Sequence, residues 1–446
     1  ALDHMNCEHI LKSVWDVDQL PKGIVSLIHE RTGGNPFFVE EVSRELKEGG
    51  TVQAMDKQAV IKQPLDNLSF PTTVQAVIRA RLDRLDPHAR ESLRLASVIG
   101  REFPRRILEH VSDSTIKLSD SLETLKNLEL IQQIQVVPEV EYMFKHVITQ
   151  EVTYETLLKK KRKELHSLIG QAIEKLYTDR LEEFFEMLSY HYWKGDDWFR
   201  AYEYSREAGL KAQSFSAYVE SLNFLESALE ALNKLPRVKT HLEQEIDLRF
   251  NLRSSLFPLG RHEDWADHIR KAELLAREIN DSARLANCHN YLASYHWIRG
   301  LHKQAIKLGE DGLKLAQSAG NFSVEMTTKF HLAISLLYTG AIKRQLALHR
   351  EVSKRLSGPS ALERHGLSSV PSITARGFLT WGLSELGQFE EAEMWARQGN
   401  ELAGRVQNAF SNAFIQACSG LTYLRKGEVN TALVFLKNAD ALVRDA

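Results

Sequence analysis

Five glycines set a period on the C-terminal part of this chain: Gly260, Gly300, Gly340, Gly387 and Gly427, at steps of 40, 40, 47 and 40 residues. Behind three of them small residues recur. Ala305 and Gly312 follow Gly300, Ala392 and Gly399 follow Gly387, and Ala432 and Ala439 follow Gly427. Gly195 heads a related set with Ala201 and Ala208, whereas Gly260 and Gly340 are followed by the larger Trp265 and Gln345. A glycine makes the turn, and small residues at helical spacing let the second helix of a pair approach its neighbours. One helix pair cannot bury its own apolar face, so such units must stack. The predicted architecture from about residue 147 onward is an α-α solenoid without strands.

Upstream of that point the texture is mixed. Gly33-Gly34-Asn35 must break a helix running through Ile24, Leu27 and Ile28, and Pro36 then starts the next at a position where its missing N–H costs nothing. Phe37, Val39, Val42 and Leu46 form its apolar face, and Gly49-Gly50 ends it. A short strand is predicted around Ala59-Val60-Ile61. Phe70-Pro71-Thr72-Thr73 caps a helix from Val74, and Asp86 caps another that begins at Pro87 and stops at Gly100. A short helix follows Phe103-Pro104, and Ser119 or Asp120 is the expected cap of one through Leu122, Leu125 and Leu128. Leu130–Val137 and Glu141–Phe144 alternate around Pro138 as a β-hairpin. Three helices and a hairpin are the pattern of a winged helix.

Composition narrows the function classes. At 446 residues, roughly two to four domains are expected. The apolar and charged contents, 43% and 26%, are those of an ordinary globular protein. A formal net charge of −2 gives no electrostatic case for nucleic acid or an acidic membrane surface. Cys7, Cys288 and Cys418 lie far apart and make no CxxC, which argues against a disulfide framework or zinc site and makes a reducing cytoplasm the expectation. No apolar run approaches the ~20 residues of a membrane span. Without an initiator methionine, and with a helical pattern running into Ala446, the chain reads as part of a longer polypeptide.

Three segments carry a more specific signal: Gly34-Asn35-Pro36-Phe37-Phe38-Val39-Glu40-Glu41, Val74–Leu85 (with Ala80-Arg81-Leu82-Asp83-Arg84-Leu85), and Phe144-Lys145-His146 with Tyr154–Leu158. Together they resemble the STAND class of AAA-related signal-transduction ATPases. The nearest subtype is the ATPase-plus-tetratricopeptide region attached to bacterial adenylate or guanylate cyclases, kinases and LuxR-type regulators. The resemblance implies a mainly α chain in three parts: the end of an ATPase helical lid over residues 1–66, a winged-helix-like domain over 67–160, and a TPR-like α-α superhelical arm over 161–446, truncated at its C-terminus. It further implies that Pro36 packs on the nucleotide from the lid. His146 would reach the β-phosphate of ADP from the winged helix, holding the closed state.

The departures limit what these residues can do. The chain contains no Gly-x4-Gly-Lys-Ser/Thr and no apolar strand ending in paired acids for magnesium. ATP or ADP is therefore expected only with a P-loop core lying outside these residues, with no metal in this chain and no hydrolysis by it alone.

Several other features have plainer readings. Lys159-Lys-Lys-Arg-Lys163 reads as the wet face of a helix rather than a nucleic-acid patch. Eight arginines against four acids between Val74 and Arg106 raise DNA contact, but winged helices of the resembled class are mostly structural, which implies that Arg79, Arg81 and Arg84 line a domain interface. His262–His268 lacks the ligand spacing of a zinc site and reads as a repeat turn. Tyr190, Trp193, Trp198, Tyr202, Tyr291, Trp297 and Trp381 fall on helical faces, mostly for packing, with some available to a concave groove.

The functional expectation is a regulatory segment of a cytoplasmic signalling ATPase. It would couple nucleotide state to a protein, peptide or ligand on the arm and control an attached effector, an adenylate or guanylate cyclase first, with no membrane partner. A plain interaction scaffold and a LuxR-type regulator lacking its DNA-binding module are the alternatives.

Overall fold

The computed structural model describes residues 1–62, 73–113, 115, 117–367 and 369–444. The expected boundary at 66/67 and the segment Phe70-Pro71-Thr72 lie outside the described residues. The chain divides into two units, Ala1–Ala201 and Tyr202–Ala446. Among the described residues no helix is long and apolar enough to cross a membrane.

The first unit opens with three helices, α1 (His4–Trp15), α2 (Ile24–Thr32) and α3 (Pro36–Glu48), and the hairpin β1 (Val52–Met55) and β2 (Gln58–Ile61). Local chemistry sets the α2–α3 joint. Gly33 closes α2 at φ 60°, and the Asn35 side chain accepts the Phe38 N–H at 3.1 Å with Pro36 in the first turn. Cys7, Leu11 and Trp15 of α1 pack against Ile24, Ile28, Val39 and Val42 to form its core. Sequence periodicity did not reveal α1. Nor did it reveal β1, because Asp56 and Lys57 both take positive φ, 51° and 60°, and make a two-residue turn without the usual glycine.

Next come α4 (Val74–Arg84), α5 (Pro87–Ile99), β3 (Glu102–Pro104), α6 (Arg105–Val111), α7 (Leu118–Asn127), β4 (Ile131–Gln135) and β5 (Glu141–Phe144). Thr73 and Asp86 cap α4 and α5 through the N–H groups of Ala76, and of His88 and Ala89. The strands form an antiparallel sheet in the order β3-β5-β4. Helix–strand–helix–helix–hairpin is the winged-helix order. The first strand was read only as a helix approach: three residues ending in Pro104 suffice for an edge, where a missing N–H is tolerated. The rings of Phe103 and Phe144 meet on this sheet, tilted at 60° with centroids 5.8 Å apart, and both are fully buried. The expected cap of α7 needs correction. The helix begins at Leu118, Lys117 occupies the cap position without a side-chain bond, and Ser119 Oγ instead accepts from Arg105 at 3.1 Å.

Three further helices follow, α8 (Val147–Glu155), α9 (Lys159–Leu176) and α10 (Phe185–Lys194). Lys159, Lys160, Lys161 and Lys163 are exposed on α9, while Arg162 turns back to donate to the carbonyl oxygens of Glu155, the last residue of α8, and of Leu157 just beyond it, each at 2.9 Å. The helix α11 (Trp198–Ser214) contains the boundary residue Ala201.

The second unit continues with α12 (Tyr218–Leu232) and then repeats one design: α13 (Lys239–Leu256) with α14 (His262–Glu278), α15 (Ser282–Ile298) with α16 (His302–Ser318), α17 (Phe322–Tyr338) with α18 (Ile342–Arg355), α19 (Pro371–Glu385) with α20 (Phe389–Ala403), and α21 (Ala409–Lys426) with α22 (Val429–Arg444). Each pair packs on the next in a stack of antiparallel helices. Gly260, Gly300, Gly340, Gly387 and Gly427 stand in these turns at φ between 70° and 86°. The small residues act as the period implied. Ala305, Ala392 and Ala432 are buried, and a Cβ on Gly399 would stand 2.6 Å from Ile415 Cδ1. The long step from Gly340 to Gly387 reflects the extra chain between α18 and α19, which includes a 3₁₀ turn at Gly358–Leu362. Gly195 differs from its counterparts: it keeps right-handed backbone at φ −83°, and Asp196 takes the left-handed position at φ 59°.

Candidate functional site

The three segments singled out in the sequence meet in the first unit. Pro36 is exposed at the first position of α3, and the ring of its neighbour Phe37 lies 4.2 Å, centroid to centroid, from the ring of His146. His146 follows β5 as the cap residue of α8 in extended backbone (φ −130°, ψ 135°), and its side chain makes no capping bond. The imidazole is half-buried, and no hydrogen bond engages it among the described residues. Burial holds it below the ordinary histidine value, opposed in part by the carboxylates of Glu40 and Glu41. At neutral pH the ring is therefore uncharged, one nitrogen a donor and the other an acceptor.

Beneath this contact lies a buried ion cluster on α3. Arg81 donates to both oxygens of Glu41 at 2.7 and 3.0 Å, to Glu48 at 2.8 and 3.0 Å, and to the Leu128 carbonyl at 2.9 Å. The Arg81 and Glu41 side chains are 3% and 4% exposed, so this pair is effectively out of water. Arg84 reaches Glu45 with both terminal nitrogens. Closer to the surface, Arg44 links Glu40 and Glu129, each at 2.7 Å, and Lys145 also reaches Glu129. So Arg81 and Arg84 face α3, as an interface role required, while Arg79 stays exposed with Glu155 at 3.7 Å.

A polar cavity of about 740 Å³ opens beside this cluster, with His9, Ser13, Glu40, Arg44, Lys47 and Glu129 among its walls. Pro36 and His146 are not part of its lining. Glu40, Arg44 and Glu129 are mutually paired and Lys47 donates to the Val14 carbonyl at 2.6 Å, whereas the His146 ring has no hydrogen-bond partner among the described residues.

Behind α8 the Tyr154 hydroxyl meets His166 Nε2 at 3.0 Å, and His166 Nδ1 meets His191 Nδ1 at 2.9 Å. Both imidazoles are fully buried, and burial lowers them to about 4 and about 3. The relay fastens the C-terminal end of α8 to α9 and α10.

The arm has a second kind of site. A cavity of about 550 Å³ is walled by Trp297, Phe330, Phe378 and Phe414, and Arg253 enters it from α13. Of the aromatics named from the sequence, Trp297 lines this space; Tyr291 stacks its ring on the Arg253 guanidinium at 4.2 Å, and Trp381 packs on Phe378 at 6.3 Å. Arg253 itself was missed. Its signal was a cation spaced four residues from Arg249 and from Phe257, on a face otherwise closed by Ile246 and Leu256. His262 and His268 belong to the α14 repeat helix: His268 meets Arg249 at 3.1 Å, and among the described residues no group of metal-binding side chains is found.

Comparison with known proteins adds a faint outline. No protein-family model matches the chain. An uncharacterized protein of Rhizobium meliloti (strain 1021) is 25% identical over 218 residues, 47% of this chain, and the match spans about a fifth of that protein's length (20%). Among solved structures, the apo form of RapI has a TM-score of 0.48 at 10% identity, covering 98% of both chains. A Signal Transduction ATPase with Numerous Domains (STAND) protein with a tetratricopeptide repeat sensor, from Pyrococcus horikoshii, has a TM-score of 0.41 at 12% identity, covering 99% of this chain and 69% of that one.

Proposed function

We propose that this chain is the regulatory segment of a signal-transduction ATPase. The lid end and winged helix respond to nucleotide held by a P-loop core outside these residues, and the arm receives the signal. One observation carries the reading. Segments chosen for their resemblance to the STAND class are joined by the Phe37–His146 contact, across more than a hundred residues of sequence, and by the buried Glu41–Arg81 pair, across 40.

The residues present fit a nucleotide ligand in a limited sense. His146 offers a ring nitrogen without an internal partner, at the N-terminus of α8 and against the first turn of α3. Helix N-termini favour negative charge, and a neutral imidazole donates to a phosphate oxygen from its N–H. His146 would hold the phosphate and Pro36 would pack on the nucleotide. The nucleotide supplies the anionic group that the two parts share, and the P-loop core supplies the cradle and metal ligand absent from this sequence.

The switch is then a matter of population. ADP contacted by both parts favours the closed state, and a ligand or partner that binds the open state better shifts it the other way. An attached effector reads that balance, a nucleotide cyclase being the first candidate.

The coding sequence that adjoins Ala1 tests the reading. We expect a Gly-x4-Gly-Lys-Ser/Thr segment there, and ADP retained on the intact polypeptide through purification. A reading frame that opens at Ala1, or an upstream core lacking the P-loop lysine, would leave an interaction scaffold as the better account.

A further inference from the structure

Arg253 is a buried cation without an anionic partner. It is 7% exposed, its Nε is enclosed without a hydrogen-bond partner, and no ion pair reaches it among the described residues. Three rings surround its guanidinium instead: Tyr291 at 4.2 Å, Trp265 at 5.2 Å and Phe257 at 5.4 Å. The other buried arginines described have hydrogen-bond acceptors at their terminal nitrogens. Arg249, one turn earlier, pairs with Glu245 at 2.5 Å, and Arg376, whose Nε also lacks a partner, still donates its terminal nitrogens to the Ser372 and Ser353 carbonyls at 2.7 and 3.1 Å. Ring faces attract a cation but do not replace hydrogen bonds to its N–H groups. A charge so placed is costly unless an anion meets it.

The cavity that Arg253 enters describes the rest of that ligand. Its walls are dominated by aromatic and aliphatic side chains, and its volume of about 550 Å³ is that of a small-molecule site. Its other polar groups are largely engaged. His331 Nδ1 meets Asn290 Oδ1 at 2.8 Å, Thr374 donates to the Val370 carbonyl at 3.2 Å, and His262 accepts from Trp265 at 3.2 Å. A peptide would bring an N–H and a C=O with every residue into walls that have few partners to give. A phosphate dianion would bring a second charge with nothing to meet it. A carboxylate matches one guanidinium in charge and in planar geometry.

We propose that the arm's aromatic cavity takes a small amphiphilic carboxylate, its anionic end on Arg253 and its apolar body among Trp297, Phe330, Phe378 and Phe414. The inference rests on the reading of the arm as the signal-receiving half, and it names the chemistry of the signal.

Titration of the full chain with 4-phenylbutyrate and decanoate, each beside its neutral primary amide, tests it by calorimetry. The acids bind at least tenfold more tightly than the amides. In Arg253→Met that difference disappears, while the ligand-free melting temperature stays at or above that of the unsubstituted protein, because an unpaired buried charge has been removed. Equal affinity for acid and amide in the unsubstituted protein overturns the proposal, and so does the absence of binding by any of the four probes. A marked fall in melting temperature for Arg253→Met assigns the guanidinium to packing and also overturns it. If aromatic-rich acidic pentapeptides bind where the small acids do not, the ligand class is wrong and the arm's receiving role stands. Failure of the nucleotide reading shows separately, in ADP retention by the intact polypeptide.

Discussion

Replacing Arg81 with alanine is expected to destabilise the first unit by about 3–5 kcal/mol, because it strands a buried carboxylate. Glu41 is 4% exposed, and the Arg81 guanidinium is its charge partner at 2.7 Å. The same guanidinium also serves Glu48 and the Leu128 carbonyl, so three acceptors from α3 and the α7 end lose donors at once. The double substitution Glu41→Leu with Arg81→Met should recover most of the loss, since an apolar pair of similar volume replaces both charges. Urea denaturation followed by circular dichroism measures both. Arg79→Ala is the control: its partner Glu155 is 3.7 Å away and both side chains are 58% exposed, so at most about 1 kcal/mol is at stake. If Arg81→Ala behaved like Arg79→Ala, the buried cluster would not be what fixes α4 and the winged-helix segment to α3.

A second large effect is expected in acid. His166 and His191 titrate near 4 and near 3 in the folded chain, first because burial penalises their charged forms, then because of Lys194 and Arg162 beside His166, and of His166 beside His191. The unfolded chain takes up these protons near pH 6.5. The stability they represent is therefore complete above about pH 7. It declines as the pH falls below 6.5 and is gone once the folded rings titrate. By linkage, each histidine contributes a loss on the order of 2 kcal/mol at pH 5. Protonation also removes a ring acceptor from the Tyr154–His166–His191 relay, which has no anion to compensate. Thermal melts at pH 7 and pH 5 should show a steep fall for the unsubstituted protein and a shallower one for His191→Gln. Parallel falls would place the acid sensitivity elsewhere, for instance in His331 and His349 of the arm, which burial also lowers to about 3.

The parts legible in the sequence were those with local chemical cause. Turn glycines at positive φ and the Asn35–Pro36 and Asp86–Pro87 helix starts act within a few residues of themselves, and the small residues between paired helices repeat with the turn glycines. The missed elements draw their stability from distant partners. The β1 strand has three of its four residues exposed and needs Val60 and Ile61 opposite it, and β3 exists because Tyr142 and Met143 pair with it. The candidate site divides in the same way. Resemblance pointed to Pro36 and His146, but the ring that meets His146 is Phe37, and only tertiary structure selects it. Arg253 illustrates the limit most clearly: an arginine on a helix reads as surface, and its lack of a carboxylate is visible only once Trp265 and Tyr291 are folded around it.

The central claim is that His146 is a nucleotide-contacting residue rather than a bystander at the head of α8. The affinity of ADP for the polypeptide extended to include its P-loop core, measured with His146 and with His146→Ala, tests this most directly. The account predicts a loss of roughly ten- to a hundredfold on substitution, the value of one hydrogen bond to a charged phosphate group, with the melting temperature of the ligand-free protein little changed. An ADP affinity that does not move when the imidazole is removed would contradict it.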